Sequence, residues 1–274
     1  MTGISQDRRA RVCAVSYLNT VPLVWGMLHG AERGLFDLEF ALPAECADRL
    51  KDGRADIGIA PAAALLDQDL KVFRGVGIAC RGAVRSILLI SREPLADVRV
   101  LAADSSSRSS VLLARIILNQ AYGANPEFIS APPDVASRLD AASAGLIIGD
   151  PALRLDPAAL RQEGLHVADL GEEWMKLTGL PMVFAVWAGR PEVWSEERER
   201  SFVSSCRFGL HHLNDIIAVE HSRRGVTADL AKTYLTRHIV YELGDAEYEG
   251  LQRYLDYAAA IAGAPLVSPE GVSV

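Results

Sequence analysis

The chain lacks the marks of a secreted mini-protein, a membrane protein or a nucleic-acid binder. Its four cysteines, Cys13, Cys46, Cys80 and Cys206, lie far apart with no CxxC pair. That spacing excludes a disulfide-stapled scaffold and reads as buried thiols in a reducing compartment. No apolar run reaches the roughly 18 residues that a membrane span needs. Arg8-Arg9 is followed only by a short apolar stretch broken at Ser16 and Asn19, which is no export signal. The expected setting is cytoplasmic, with no membrane partner. Positive charge is outnumbered, 28 Lys and Arg against 35 Asp and Glu: the formal net charge is −7, which argues against a nucleic-acid binder. GxxxxGK[ST], GxSxG, HExxH and GxGxxG are missing. The adjacent pair His211-His212 points about 100° apart on a helix and cannot form a metal-binding face. No metal and no cofactor are expected.

What is present is an ordinary globular chain of 274 residues, 50% hydrophobic and 23% charged, with no internal repeat. Strand and helix patterns alternate through the first ninety residues: strands at Val12–Ser16, Asp37–Leu42, Ala55–Pro61, Val72–Cys80 and Ser86–Ser91, with helices after Pro22, Pro43 and Pro61. A second alternating unit follows, with strands at Val98–Ala102, Glu127–Ser130 and Ala144–Leu153, a long helix ending at Gly123, and a closing apolar strand, "LPMVFAVWAG". From Pro191 onward three helical patterns appear and no strong strand, the first running unbroken to Gly225. Alternation of this kind implies an α/β protein of two lobes, each a mixed, mostly parallel sheet flanked by helices, with a C-terminal helical segment. Residues 1–91 and 185–274 form the first lobe and 92–184 the second, with a ligand cleft between them. The oligomeric state, monomer or homodimer, stays open.

Ligands in open α/β sheets sit beyond the carboxyl ends of strands. Four polar clusters occupy such places. Ser16, Tyr17, Asn19 and Thr20 crowd the junction between the first strand and its helix. Arg85 and Ser86 open a crossing strand. "DSSSRSS", with Ser105, Ser106, Ser107 and Ser109, lies at the mouth of the long helix, where free N–H groups point outward. Asp150 follows a strand in "IIGDPAL". One serine suffices to cap a helix, so the serine cluster reads either as a cap with a polar first turn or as an anion site. Asp150 is either a turn carboxylate or a ligand-facing one. None of the clusters supplies a histidine, glutamate or lysine.

Taken in order, "AVSYLNTVPLVWG", "GRADIGIAPAAALL", "VRSILLIS", "DSSSRSSVLLARIIL", "LIIGDPAL" and "GLPMVFAVWA" resemble the chorismate dehydratases of the futalosine route to menaquinone, over about residues 11–190. The resemblance implies a type II periplasmic-binding-protein-like fold and a hydro-lyase. Chorismate would be the substrate, and 3-[(1-carboxyvinyl)oxy]benzoate and water the products. It implies Asn19 and Ser86 as catalytic residues. Ser16, Tyr17, Thr20, Arg85, Ser105, Ser106, Ser107, Ser109 and Asp150 would bind substrate. Ser109 stands where the family usually has threonine, and Ala62-Ala63-Ala64 is less polar than in many relatives. A non-catalytic solute-binding protein and the sister enzyme that releases dihydroxynaphthoate are the alternatives. A regulator's effector domain fits poorly, since no DNA-binding segment is present.

Overall fold

The computed structural model describes residues 9–103, 108–132 and 134–261. The chain opens with strand β1, Ala10–Val15, a 3-10 turn at Leu18–Thr20 and helix α1, Val21–His29. Pro22 sits in the first turn of α1, where its missing N–H costs nothing. Strand β2, Phe36–Ala41, helix α2, Pro43–Lys51, strand β3, Ile57–Pro61, a 3-10 turn at Ala62–Leu66 and strand β4, Lys71–Cys80, follow. All of β3 is buried, whereas β2 is half-buried or exposed up to its last residue, Ala41, as a central and an edge strand should be.

The second unit comprises strands β5, Ile87–Ser91, and β6, Val100–Ala103, helix α3, Arg108–Tyr122, strand β7, Glu127–Ser130, and helix α4, Val135–Ala141. Strand β8, Ala144–Ile148, helices α5, Asp150–Leu153, and α6, Pro157–Gln162, strand β9, His166–Asp169, and helix α7, Leu170–Thr178, complete it. Strand β10, Met182–Gly189, then returns to the first sheet. The tail holds α8, Glu196–His211, α9, Leu213–Arg223, α10, Ala228–Thr233, a π-turn at Tyr234–His238, strand β11, Val240–Glu242, and α11, Asp245–Ile261.

The sheets run β11-β4-β10-β3-β1-β2 and β7-β6-β8-β5-β9. Both are mixed, and the two-lobed α/β architecture stands. The parallel share is smaller than strand–helix alternation implies. Strands β1, β2 and β3 are parallel, as are β6, β7 and β8, but β5 and β10 run against both of their neighbours. These are the long apolar strands beside the lobe crossings, and a chain that returns from another lobe need not keep the parallel sense.

The crossings also shift. Ile87–Ser91 exchanges its ladder with β8 and β9, so the chain changes sheet in residues 81–86 rather than at 91–92. It comes back by Met182, a little before residue 185. The apolar run alone cannot show which sheet receives it. The tail differs from the sequence reading as well. Its first helix breaks at His212, with φ −108° and ψ 24°, whose ring stacks on Phe208. The short β11 pairs with β4 at the sheet edge. Helix α8 is fixed to α1 by a close crossing: a Cβ at Gly209 would meet the Pro22 carbonyl oxygen at 2.1 Å. Beside it, Ser205 Oγ donates to the Leu23 carbonyl at 2.8 Å and accepts from Met27 N–H at 3.1 Å.

Candidate active site between the lobes

The carboxyl ends of β1, β3 and β8 converge on a pocket that spans about 560 Å³, including the solvent at its mouth. The free space inside it is about 70 Å³. Val15, Ile59, Ile78, Val84, Ile148 and Phe184 make its apolar walls. Its polar side chains among the described residues are Tyr17, Asn19, Ser86, Ser109 and Ser110.

Four of the expected site residues therefore meet here. Ser86, 2% exposed, accepts a hydrogen bond from the Tyr234 phenol at 2.9 Å. The Asn19 side chain is a further polar neighbour of that phenol. Asn19 Oδ1 is buried with no hydrogen-bond partner in the protein. Ser109 Oγ accepts from the Ala63 N–H at 3.0 Å, which ties the first turn of α3 to the other lobe. Tyr17 lays its ring on Gly149 across the cleft: a Cβ there would come within 2.6 Å of the ring. Gly149 itself has φ +67° and ψ −147°, a conformation essentially confined to glycine.

Four others stand outside the pocket lining. Asp150 faces the loop instead. Its carboxylate accepts from the Leu18 N–H at 3.0 Å and from Arg224 Nη1 at 3.0 Å. Burial pushes its pKa above the ordinary carboxylate value, against the pull of the Leu18 N–H and Arg224. Arg224 also bonds the Ser16 carbonyl and Glu220, so Ser16 contributes its backbone to this latch. Arg85 turns away as well: its guanidinium donates to the carbonyls of Ala152, at 3.0 Å, and Leu155 at the end of α5. Its backbone has φ +68°, held by the Asp169 carboxylate, which accepts from the N–H groups of Val84, at 2.9 Å, and Arg85, at 2.6 Å. Thr20 is fully buried, with its Oγ1 unpartnered. Ser105, Ser106 and Ser107 lie outside the described residues.

A sequence model described as menaquinone biosynthesis matches residues 10–260. The chain belongs to the menaquinone biosynthesis family. A protein of Thermus thermophilus named chorismate dehydratase is 28% identical, over 93% of this chain and 96% of its own. Solved structures share the fold. A protein from Archaeoglobus fulgidus superposes with a TM-score of 0.74 at 18% identity, covering 94% of this chain and 99% of its own. The periplasmic aliphatic sulphonate binding protein of Escherichia coli gives 0.64 at 14% identity, covering 97% and 95%. The fold of this menaquinone biosynthesis family member is thus periplasmic-binding-protein-like, as the sequence resemblance implies.

Sequence reasoning missed Tyr234, Arg224, Asp169 and Gly149. The first two lie in the helical tail, where nothing distinguishes them from surface residues. Asp169 had a readable signal: it ends a strand and caps α7 through the N–H groups of Gly171 and Glu172. Gly149 was legible only as part of "GDP". Among the described residues no group of three or more His, Cys, Asp or Glu side chains is placed to hold a metal, and no helix is long and apolar enough to cross a membrane.

Proposed function

We propose that this chain is a chorismate dehydratase, a carbon–oxygen hydro-lyase. It would convert chorismate to 3-[(1-carboxyvinyl)oxy]benzoate and water, on the futalosine route to menaquinone. The family and the Thermus thermophilus relative support the reading. Within the pocket, the observation that carries it is the unpartnered Asn19 Oδ1. A buried acceptor without a donor is costly and calls for one from the ligand. The chorismate dianion carries a single O–H, at C4, and that is the group which leaves.

In the reaction the C3–H bond breaks and its electrons form the last ring double bond as the C4–O bond breaks. Negative charge spreads through the diene toward the ring carboxylate. Hydroxyl donors held against that carboxylate, Ser86 and the serines at the mouth of α3, would stabilise the transition state more than the ground state. The polar lining groups are a phenol, an amide and hydroxyls, all weak bases at neutral pH. The substrate's enolpyruvyl carboxylate, adjacent to C3, takes the proton and passes it to the departing hydroxide. Asn19 orients the C4 hydroxyl. The apolar walls exclude water from this exchange.

Purified protein mixed with chorismate should give a product one water lighter, with aromatic absorbance. Asn19→Ala and Ser86→Ala, with folding verified by circular dichroism, should each lower kcat by about 100-fold. Binding of chorismate without turnover would favour a solute-binding protein. An analogue lacking the enolpyruvyl carboxylate that still eliminated at full rate would remove the substrate's role as base. The reading carries with it a cytoplasmic site of action, open to cell fractionation.

A further inference from the structure

Tyr234 comes from the tail, 148 residues along the chain from Ser86, yet its phenol bonds Ser86, which lines the pocket. It opens the π-turn between α10 and β11 and is 1% exposed. A phenol this deep keeps a hydrogen-bond partner, and here the partner is Ser86 Oγ at 2.9 Å. Burial pushes its pKa well above the ordinary phenol value, so it stays a neutral donor at working pH. Either hydroxyl can donate in such a pair, and an anion bound beside Ser86 selects the arrangement in which Tyr234 donates. A serine hydroxyl has one hydrogen and two lone pairs. With a lone pair taken by Tyr234, the hydrogen turns away from the phenol, and Ser86 lines the pocket.

We propose that Tyr234 is a positioning residue of this site: by donating to the Ser86 oxygen it commits Ser86 to donate its own hydrogen to a carboxylate of the bound substrate. The inference rests on the dehydratase reading and deepens it. Left alone, a serine hydroxyl rotates and serves as donor or acceptor. Held by Tyr234 it offers an anion a preoriented donor, whose alignment costs nothing at the moment of reaction. Tyr234 itself does not touch the substrate in this scheme.

The test is a double-mutant cycle on chorismate turnover, with wild type, Tyr234→Phe, Ser86→Ala and the double variant. Tyr234→Phe should lower kcat by about 10-fold or more with KM within about twofold, and should add nothing to the loss in Ser86→Ala. A Tyr234→Phe loss that persists in full on the Ser86→Ala background would show the phenol acting independently of Ser86, and the proposal fails. Wild-type kcat in Tyr234→Phe overturns it equally. A wild type inactive on chorismate removes the dehydratase reading and this proposal with it, an outcome separable from the other two. If Tyr234→Phe does not fold, a crystal structure of the wild type with 3-[(1-carboxyvinyl)oxy]benzoate decides. The proposal requires Ser86 Oγ bridging Tyr234 and a ligand carboxylate, and is overturned if Ser86 makes no ligand contact or if Tyr234 binds the ligand directly.

Discussion

At the scale of single residues, the pocket depends on positions that offer no chemistry of their own. Gly149 is one. A methyl group there would occupy the space of the Tyr17 ring and force a left-handed backbone on an L-residue. Gly149→Ala should cost about 2–3 kcal/mol in urea unfolding. Because the strain falls on Tyr17 and on the Gly149 N–H that donates to the Ser86 carbonyl at 2.8 Å, activity should fall more than stability. An alanine variant with wild-type turnover would show that the Tyr17 contact is dispensable. The hydroxyls and amides of the site were legible because they are out of place: nothing about a strand–helix junction calls for Ser16, Tyr17, Asn19 and Thr20 together. Their separate fates were not legible. Tyr17 and Asn19 line the pocket, while Ser16 uses its carbonyl and Thr20 is buried beneath, because side-chain direction within a 3-10 turn depends on neighbours the local sequence does not contain.

At the scale of elements, the first 3-10 turn is held from the opposite lobe. The carboxylate at the start of α5 takes the Leu18 N–H, and Arg224 at the end of α9 pairs with that carboxylate and with the Ser16 carbonyl. Arg224→Met would leave the Asp150 charge buried without its cation. Such losses run to about 3–5 kcal/mol in full burial, and about 2 kcal/mol is expected here because Arg224 is 22% exposed. The sign of its pH dependence follows from Asp150. A carboxyl whose folded pKa lies above its ordinary value supports the fold below that value and loses this support as pH rises through the folded pKa. Without Arg224 the folded pKa rises further. The variant's deficit in thermal unfolding should therefore be large at neutral pH and shrink as the medium is acidified. A deficit independent of pH would mean that Arg224 acts by packing alone. Most elements were readable from Pro, Gly and apolar periodicity. The short strands β9 and β11 were not, since each lies between helices and pairs with a strand far back along the chain, β5 and β4. The break at His212 was hidden because the residues on either side keep a helical period.

At the scale of the whole molecule, two sheets bring together residues from four stretches of the chain: 17–19, 86, 109–110 and 234. The two-lobed plan was visible in the repeated alternation, but the placement of β5 was not, because strand pairing is a long-range choice that hydrophobicity does not encode. The lobes touch through Tyr17 on Gly149, Leu18 on Asp150 and Ala63 on Ser109. These contacts are made by the protein alone, and they close the two lobes over a pocket with about 70 Å³ of free space. Entry and exit then require the contacts to part. Turnover acquires a mechanical component, timed by the separation of two bodies moving through solvent. If that parting limits the rate, kcat should fall in proportion to added glycerol or sucrose viscosity, and a variant that loosens the latch, such as Arg224→Met, should lose this dependence while its KM rises. A kcat indifferent to viscosity would place the slow step in the elimination itself. Where kcat does follow viscosity, the latch around Leu18 acts as a clock as well as a clamp, setting how long each product molecule waits before it leaves.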